Sequence, residues 1–149
     1  MTWHLLILMF SIQAHQIDIV AVQVPNSVIK AGKTSTFIIK INVKQGFHIQ
    51  ANQIKDKFLI PTTVAIDSSK NIKAGKAIFP ESIKFRLEGT NDWMEVYNNS
   101  FQIKIPVKAG MQMERGSYSL RAEIRYQACN AKTCFFPKTI VFAIPFQVQ

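Results

Sequence analysis

The sequence has little cysteine, little acidic charge and few continuous apolar runs. Two cysteines, Cys129 and Cys134, cannot build a disulfide-rich mini-scaffold or by themselves complete a four-ligand zinc site. Nine acidic residues against 18 Lys and Arg leave a net charge of +9. The 149 residues, 48% of them hydrophobic, suffice for one globular domain with a core and are short for two.

The apolar run at residues 5–12, LLILMFSI, is too short to span a bilayer, which needs about 20 residues. Its place at the extreme amino terminus, before small and polar residues, is typical of a signal peptide. The n-region has no Lys or Arg, so a buried first strand is the alternative. We predict a signal peptide over residues 1–14 and a domain over residues 15–149. An exported domain would work in an oxidising compartment, where a disulfide persists.

Four segments alternate apolar and polar residues with a period of two, as half-buried antiparallel strands do. They cover residues 37–43, 101–107, 118–126 and 140–148. Glycines between these runs indicate turns, and no GxGxxG or Walker pattern is present. The segment 67–76 is the most loop-like stretch. Short strands with regular turn signals predict an all-β fold, a sandwich of two sheets.

The two cysteines lie in the segment YQACNAKTCFFP, residues 126–137, which follows one predicted strand and precedes another. Cys129 and Cys134 are therefore expected at the two ends of a hairpin connection, with four residues between them. A hairpin brings its flanks within reach of the ~5.5 Å Cα separation that a disulfide prefers. We expect a bridge between them.

The residues alone leave three uses of this cysteine pair open. A structural bridge would close a loop of about six residues and contribute roughly 2 kcal/mol, a modest amount in a hairpin whose ends are already close. A bridge in a loop is expected to be exposed, so that a partner thiolate can attack it. Lys132, Arg125 and Lys138 are nearby cations that favour the thiolate form. The third use is metal binding with methionine, but nothing places Met111 or Met113 near the cysteines.

Three segments carry a resemblance to a known family. YQACNAKTCFFPKTI, residues 126–140, resembles the active-site segment of the amino-terminal domain family of the thiol:disulfide interchange protein DsbD, also called the disulfide-bond corrector family. GFHIQANQIKDKFLIPTTVAI, residues 46–66, is similar to the family's Gly-aromatic-His-Ile, Asn and Phe-Leu-Ile-Pro-Thr pattern. EVYNNSFQIKIPV is a weaker match, with Asn98 and Asn99 where the family often has Glu-Gly.

The resemblance implies an immunoglobulin-like antiparallel β-sandwich in the periplasm that relays electrons by thiol–disulfide exchange. It implies that Cys134 forms the mixed disulfide with partners and that Cys129 resolves it. The expected partners are thioredoxin-like envelope oxidoreductases and a membrane thiol electron transporter, and the acceptors correct wrong disulfides or serve cytochrome c maturation. No small-molecule cofactor is implied, and we expect a monomer.

Family members also shield the cysteines with a loop that carries an aromatic residue. The corresponding stretch is about residues 79–93, where Phe79, Phe85 and Trp93 are the candidates. Packing in the core of a β-sandwich is the alternative explanation for each of them.

Other functions have less support in the sequence. His48 and Tyr126 are interpreted as structural residues, since His48 has no histidine cluster around it and Tyr126 continues the apolar face of its strand. The basic residues are scattered, which argues against nucleic acid and favours acidic partners or anionic surfaces. No hydrolytic triad or paired-carboxylate motif is present. The alternative from a different class is a non-catalytic immunoglobulin-like binding or accessory module with a structural disulfide.

Overall fold

The computed structural model describes residues 18–67 and 69–149, so the predicted signal peptide at residues 1–14 lies outside the described residues. Within the described range the chain forms β-strands and no helix, and therefore no helix that could cross a membrane. The strands are β1 (Val20–Gln23), β2 (Ser27–Ile29), β3 (Thr34–Val43), β4 (His48–Gln50), β5 (Thr63–Ile66), β6 (Ile72–Ala74), β7 (Ile83–Arg86), β8 (Trp93–Tyr97), β9 (Ser100–Ala109), β10 (Gly116–Tyr126), β11 (Ala128–Cys129) and β12 (Lys138–Val148).

These strands form three four-stranded sheets around one core. The first sheet has the order β1-β3-β9-β6, the second β2-β12-β10-β5 and the third β11-β4-β8-β7. Phe37 of β3 and Phe146 of β12 meet with ring centroids 5.3 Å apart, so the first two sheets are the facing layers of a sandwich. Apart from the parallel pair of β2 and β12, the described pairings are antiparallel. The predicted all-β, immunoglobulin-like sandwich is confirmed.

The four strands predicted from period-two alternation are the long framework strands β3, β9, β10 and β12. The pairs β3–β9 and β10–β12 stay in register over most of their length, which keeps each apolar face on the core. The loop prediction for residues 67–76 is wrong over Ile72–Ala74, where β6 pairs with β9. Ile72 is the single buried side chain of this short strand, so the segment has no alternation that a sequence pattern could detect.

The third sheet holds the cysteine segment because the chain leaves the second sheet after β10. Beyond Tyr126 it continues into β11, whose residues Ala128 and Cys129 pair with Ile49 and His48 of β4. One long hairpin, β10 and β12, thus carries at its tip a short strand that belongs to a different sheet. The cysteine pair lies where the two sheets meet.

We expect Phe37→Ala to lower the free energy of unfolding by about 3–5 kcal/mol, because it leaves a cavity in the core. Phe37 is fully buried against Phe146. The matched control is Phe136→Ala, since Phe136 is 92% exposed, and it should change stability by less than about 0.5 kcal/mol. Urea denaturation followed by circular dichroism measures both variants. Equal losses would contradict the core described above.

Candidate functional site

Cys129 and Cys134 are joined by a disulfide, and their Cα atoms are 3.9 Å apart. Their backbones also form an isolated antiparallel β-bridge. Backbone hydrogen bonds lie on either side of the pair, from Asn130 to Thr133 (2.9 Å) and from Phe135 to the residue before Cys129 (2.8 Å). This pattern is that of a non-hydrogen-bonded pair, in which Cα atoms approach most closely. The expected hairpin and bridge are confirmed, at a shorter separation than the ~5.5 Å typical of disulfides.

The two sulfurs of the bridge differ in burial. Cys129 is fully buried, because β11 places it in the third sheet opposite His48. Cys134 is half-buried and lines an open cleft of about 550 Å³ together with Gln127 and residues 135–138. The expectation of an exposed bridge is therefore wrong for Cys129, which belongs to a strand rather than to the loop. A partner can approach the disulfide from the Cys134 end.

The loop between the cysteines is held by its own first residue and by a neighbouring turn. Asn130 Oδ1 accepts hydrogen bonds from the backbone N–H groups of Lys132 and Thr133, both at 2.8 Å, as asparagine does in tight turns. The N–H of Glu88, in the turn after β7, donates to the carbonyl of Ala131 at 2.9 Å. The stretch expected to shield the cysteines thus contacts the cysteine loop through its backbone.

One face of the third sheet joins the main core, and the other face forms a separate small cluster around Cys129. Ile49, Tyr97 and Ala128 belong to the main core. Residues that alternate with them in the same strands are also buried and lie on the opposite face of the sheet: His48, Gln50, Met94, Val96 and Cys129. The face that carries Cys129 therefore includes an imidazole, an amide and a thioether as well as an aliphatic side chain.

Gln50, which the sequence analysis did not single out, contacts the disulfide directly. Its Nε2 lies 3.2 Å from Cys129 Sγ, 4.0 Å from Cys134 Sγ and 3.7 Å from Met94 Sδ, and it is the donor in each contact. Gln50 is fully buried, and its Oε1 has no hydrogen-bond partner. The signal that could have identified it is its spacing of two from His48, which puts both side chains on one face of a strand.

The backbone of Gln50 is fixed on both sides. Its N–H donates to the carbonyl of Gln127 at 3.0 Å, and its carbonyl accepts a hydrogen bond from the hydroxyl of the buried Thr62. Thr62 belongs to the Phe-Leu-Ile-Pro-Thr segment that carried the family resemblance. This segment therefore positions the strand that holds the amide against the sulfurs.

His48 and Tyr126 occupy the structural positions expected of them. His48 is buried beside Phe85, with ring centroids 3.8 Å apart, and burial lowers the pKa of His48 to about 4. The imidazole is therefore neutral at pH 7, and its Nε2 has no hydrogen-bond partner. Tyr126 lies in the main core, where burial and then the charge of Asp18 raise its pKa.

The three candidate shielding aromatics lie in different places. Phe79 stacks on Tyr97, with ring centroids 6.0 Å apart, and packs against the main core. Trp93 is 64% exposed. Phe85 packs on His48, directly beside Cys129 in the strand register. Of the three, Phe85 is the one that these contacts link to the cysteine pair.

The two methionines considered as metal ligands lie apart from the cysteines. Met111 and Met113 precede β10, at the opposite end of that strand from the cysteines. Among residues 18–67 and 69–149, no group of three His, Cys, Asp or Glu side chains is arranged to hold a metal ion.

We expect the folded state to lose stability as the pH falls from about 6.5 through 4, because His48 is held neutral in the fold and gains a proton on unfolding. The stabilisation is complete above the unfolded pKa of 6.5 and is lost towards pH 4, by up to about 3 kcal/mol. Urea midpoints from pH 7 to pH 4 measure it. His48→Phe should show a shallower decline than the wild-type chain, whereas parallel curves would contradict the buried neutral imidazole.

The sequence matches the model of one family, and the fold is similar to those of solved structures. The model of a family described as thiol:disulfide interchange protein DsbD, N-terminal, matches residues 17–145, a range that contains both cysteines. No curated protein sequence matches the chain.

Among solved structures, the fold is similar to the amino-terminal periplasmic domain of ScsB from Proteus mirabilis (11% identity, 85% of this chain and 44% of that chain, TM-score 0.54). It is also similar to the seventh ScaB type I cohesin from Pseudobacteroides cellulosolvens (12% identity, 87% and 92%, TM-score 0.52). The DsbD amino-terminal domain from Neisseria meningitidis, in the reduced form, matches at 14% identity over 80% and 86% of the two chains, with a TM-score of 0.49. Because the family model covers most of the sequence, the chain belongs to the family of the amino-terminal domain of the thiol:disulfide interchange protein DsbD.

Proposed function

We propose that this domain relays electrons between thioredoxin-like proteins through the Cys129–Cys134 pair. The observation that carries the proposal is the difference in burial between the two sulfurs, since Cys129 is enclosed and Cys134 faces an open cleft. A relay needs one sulfur that a partner can reach and a second sulfur that can re-form the internal disulfide. The family assignment supports the same chemistry, thiol–disulfide exchange at a cysteine pair.

The exchange takes two balanced steps. A partner thiolate attacks Cys134 Sγ, the bond to Cys129 breaks, and the electron pair leaves on Cys129 Sγ. The second thiolate of the partner then attacks the partner's first sulfur in the mixed disulfide. The bond to Cys134 Sγ breaks, so the partner is oxidised to a disulfide and this domain is reduced to a dithiol. The reduced domain passes the two electrons on when the Cys134 thiolate attacks the disulfide of an acceptor and Cys129 resolves the mixed disulfide.

The cleft at Cys134 has the composition of a protein-docking surface. It is lined largely by apolar residues, with one lysine, Lys138, and two of its rings are exposed, Phe136 at 92% and Phe135 at 37%. A third exposed ring, Phe58, lies two residues before Ile60, whose N–H donates to Gln127 Oε1 at the cleft. Exposed rings beside a reactive sulfur favour a partner with an apolar surface around its own cysteines.

The proposed location is the periplasm, with a membrane thiol electron transporter as the source of electrons and thioredoxin-like envelope proteins as partners. The apolar run at residues 5–12 and the disulfide support export. The ScsB domain of similar fold is described as periplasmic.

We expect Cys129→Ser to trap thioredoxin-like partners, because the mixed disulfide at Cys134 then has no internal thiol to resolve it. Non-reducing gels of envelope extracts should show a band of higher mass that dithiothreitol removes, and mass spectrometry should place the link at Cys134. Cys134→Ser is the matched control and should trap nothing, since Cys129 is fully buried. No adduct with Cys129→Ser, or equal adducts with both variants, would sink the proposal.

We expect Phe136→Ala to lower kcat/KM for reduction by a thioredoxin-like protein about tenfold, the loss typical of a central aromatic at an interface. The rate with dithiothreitol, which needs no docking surface, should stay within about twofold. Val28→Ala serves as control, since Val28 is 56% exposed on β2, which pairs with the far end of β12. If Phe136→Ala changes neither rate, the cleft is not the docking surface.

A further inference from the structure

Gln50 is a buried polar residue whose side-chain amide donates towards sulfur atoms. Its amide nitrogen donates towards Cys129, Cys134 and Met94, the shortest distance being 3.2 Å to Cys129 Sγ. The other end of the amide, Oε1, is buried without a partner. A buried polar atom without a partner destabilises a fold, so an aliphatic side chain would suit this site better if packing were its only role.

The orientation of the amide follows from the chemistry of the disulfide. The sulfurs of a disulfide have lone pairs and no hydrogen, so the NH₂ group of the amide is the end that can bond to them. The backbone of Gln50 is fixed by hydrogen bonds to Gln127 and Thr62, and its side chain is fully buried, which leaves little room for the amide to turn away. The donor therefore faces Cys129 before any reaction begins.

We propose that Gln50 is a catalytic residue of the exchange reaction, whose amide N–H stabilises the negative charge on Cys129 Sγ when the disulfide opens. This role rests on the proposed function. As the partner thiolate bonds to Cys134 Sγ, the electron pair of the broken bond moves onto Cys129 Sγ, the atom that Gln50 already contacts. A hydrogen bond to a charged acceptor is stronger than one to a neutral acceptor, so the contact strengthens as charge develops.

The surroundings of Cys129 otherwise disfavour a thiolate. The sulfur is fully buried, and burial without a donor penalises the charged form. His48 lies opposite it and is neutral at pH 7. Two lysines and three acidic residues line the cleft of about 340 Å³ that Gln50 also lines, and these give no net positive charge: Lys55, Asp56, Lys84, Asp92 and Glu95. Among the described residues, the Gln50 amide is the hydrogen-bond donor to Cys129 Sγ that can offset this penalty.

The test replaces Gln50 by methionine, which keeps the chain length and removes the donor. In full-length chains that also carry Cys134→Ser, thiolate absorbance at 240 nm gives the pKa of Cys129. Gln50→Met should raise that pKa by about one unit, a tenfold change in the ionisation constant. In the chain with both cysteines it should slow reduction by dithiothreitol about fivefold, because a less stable thiolate leaves more slowly. Gln102→Met, at an exposed position of β9, should change neither value.

A folded Gln50→Met chain with the pKa of Cys129 and the dithiothreitol rate unchanged would overturn the role of Gln50 and leave the proposed function standing. A wild-type chain that dithiothreitol does not reduce would overturn both. A second measurement needs no variant at Gln50: in the reduced chain, the side-chain amide resonances of Gln50 should shift with the titration of Cys129. Resonances that stay constant through that titration would also overturn the role.

Discussion

The pairing of β11 with β4 is the constraint on which the rest of the site depends. It involves just Ala128 and Cys129, yet it moves one sulfur of the bridge from a hairpin loop into a sheet. Cys134, five residues later, stays outside that sheet and faces a cleft. The two ends of one disulfide thereby acquire different environments, and the proposed division of labour between an exchanging and a resolving sulfur follows from that difference.

The two faces of the third sheet have different roles, one in the apolar core and one at the disulfide. One of its faces completes the apolar core, which Phe37, Phe146 and the long strands dominate. The other face carries Cys129 together with the buried polar residues His48 and Gln50, and two of their atoms, His48 Nε2 and Gln50 Oε1, are buried without hydrogen-bond partners. Such atoms cost about 1–3 kcal/mol each, a loss that a sandwich core of this size can offset. Buried polar atoms without hydrogen-bond partners are expected mainly at functional sites.

Much of the fold could be predicted, because period-two alternation reports directly on strands with one buried face. It identified the four long strands β3, β9, β10 and β12, and it did not identify the short strands, among them β6, where Ile72 alone is buried. The cysteine hairpin was predictable from its flanking strands, whereas the burial of Cys129 was not, since it depends on a partner strand about 80 residues earlier in the sequence.

The departure from the family pattern at Asn99, where the family often has glycine, has a structural explanation. Asn99 has φ = 53°, in the left-handed region that asparagine tolerates better than most residues and that glycine adopts freely.

The role of Gln50 could not be predicted from the sequence. Its importance lies in a contact of 3.2 Å across a sheet, and the sequence around it indicated no more than an alternating strand.

The reduction potential of the Cys129–Cys134 couple is the most direct test of the central claim that this bridge exchanges electrons. Equilibration of the full chain in glutathione buffers, followed by alkylation and mass spectrometry, measures it. An exchanging pair should have a potential above about −300 mV, within the range that thioredoxin-like donors can reduce. A potential well below about −300 mV, with resistance to such donors, would instead identify the bridge as a structural staple.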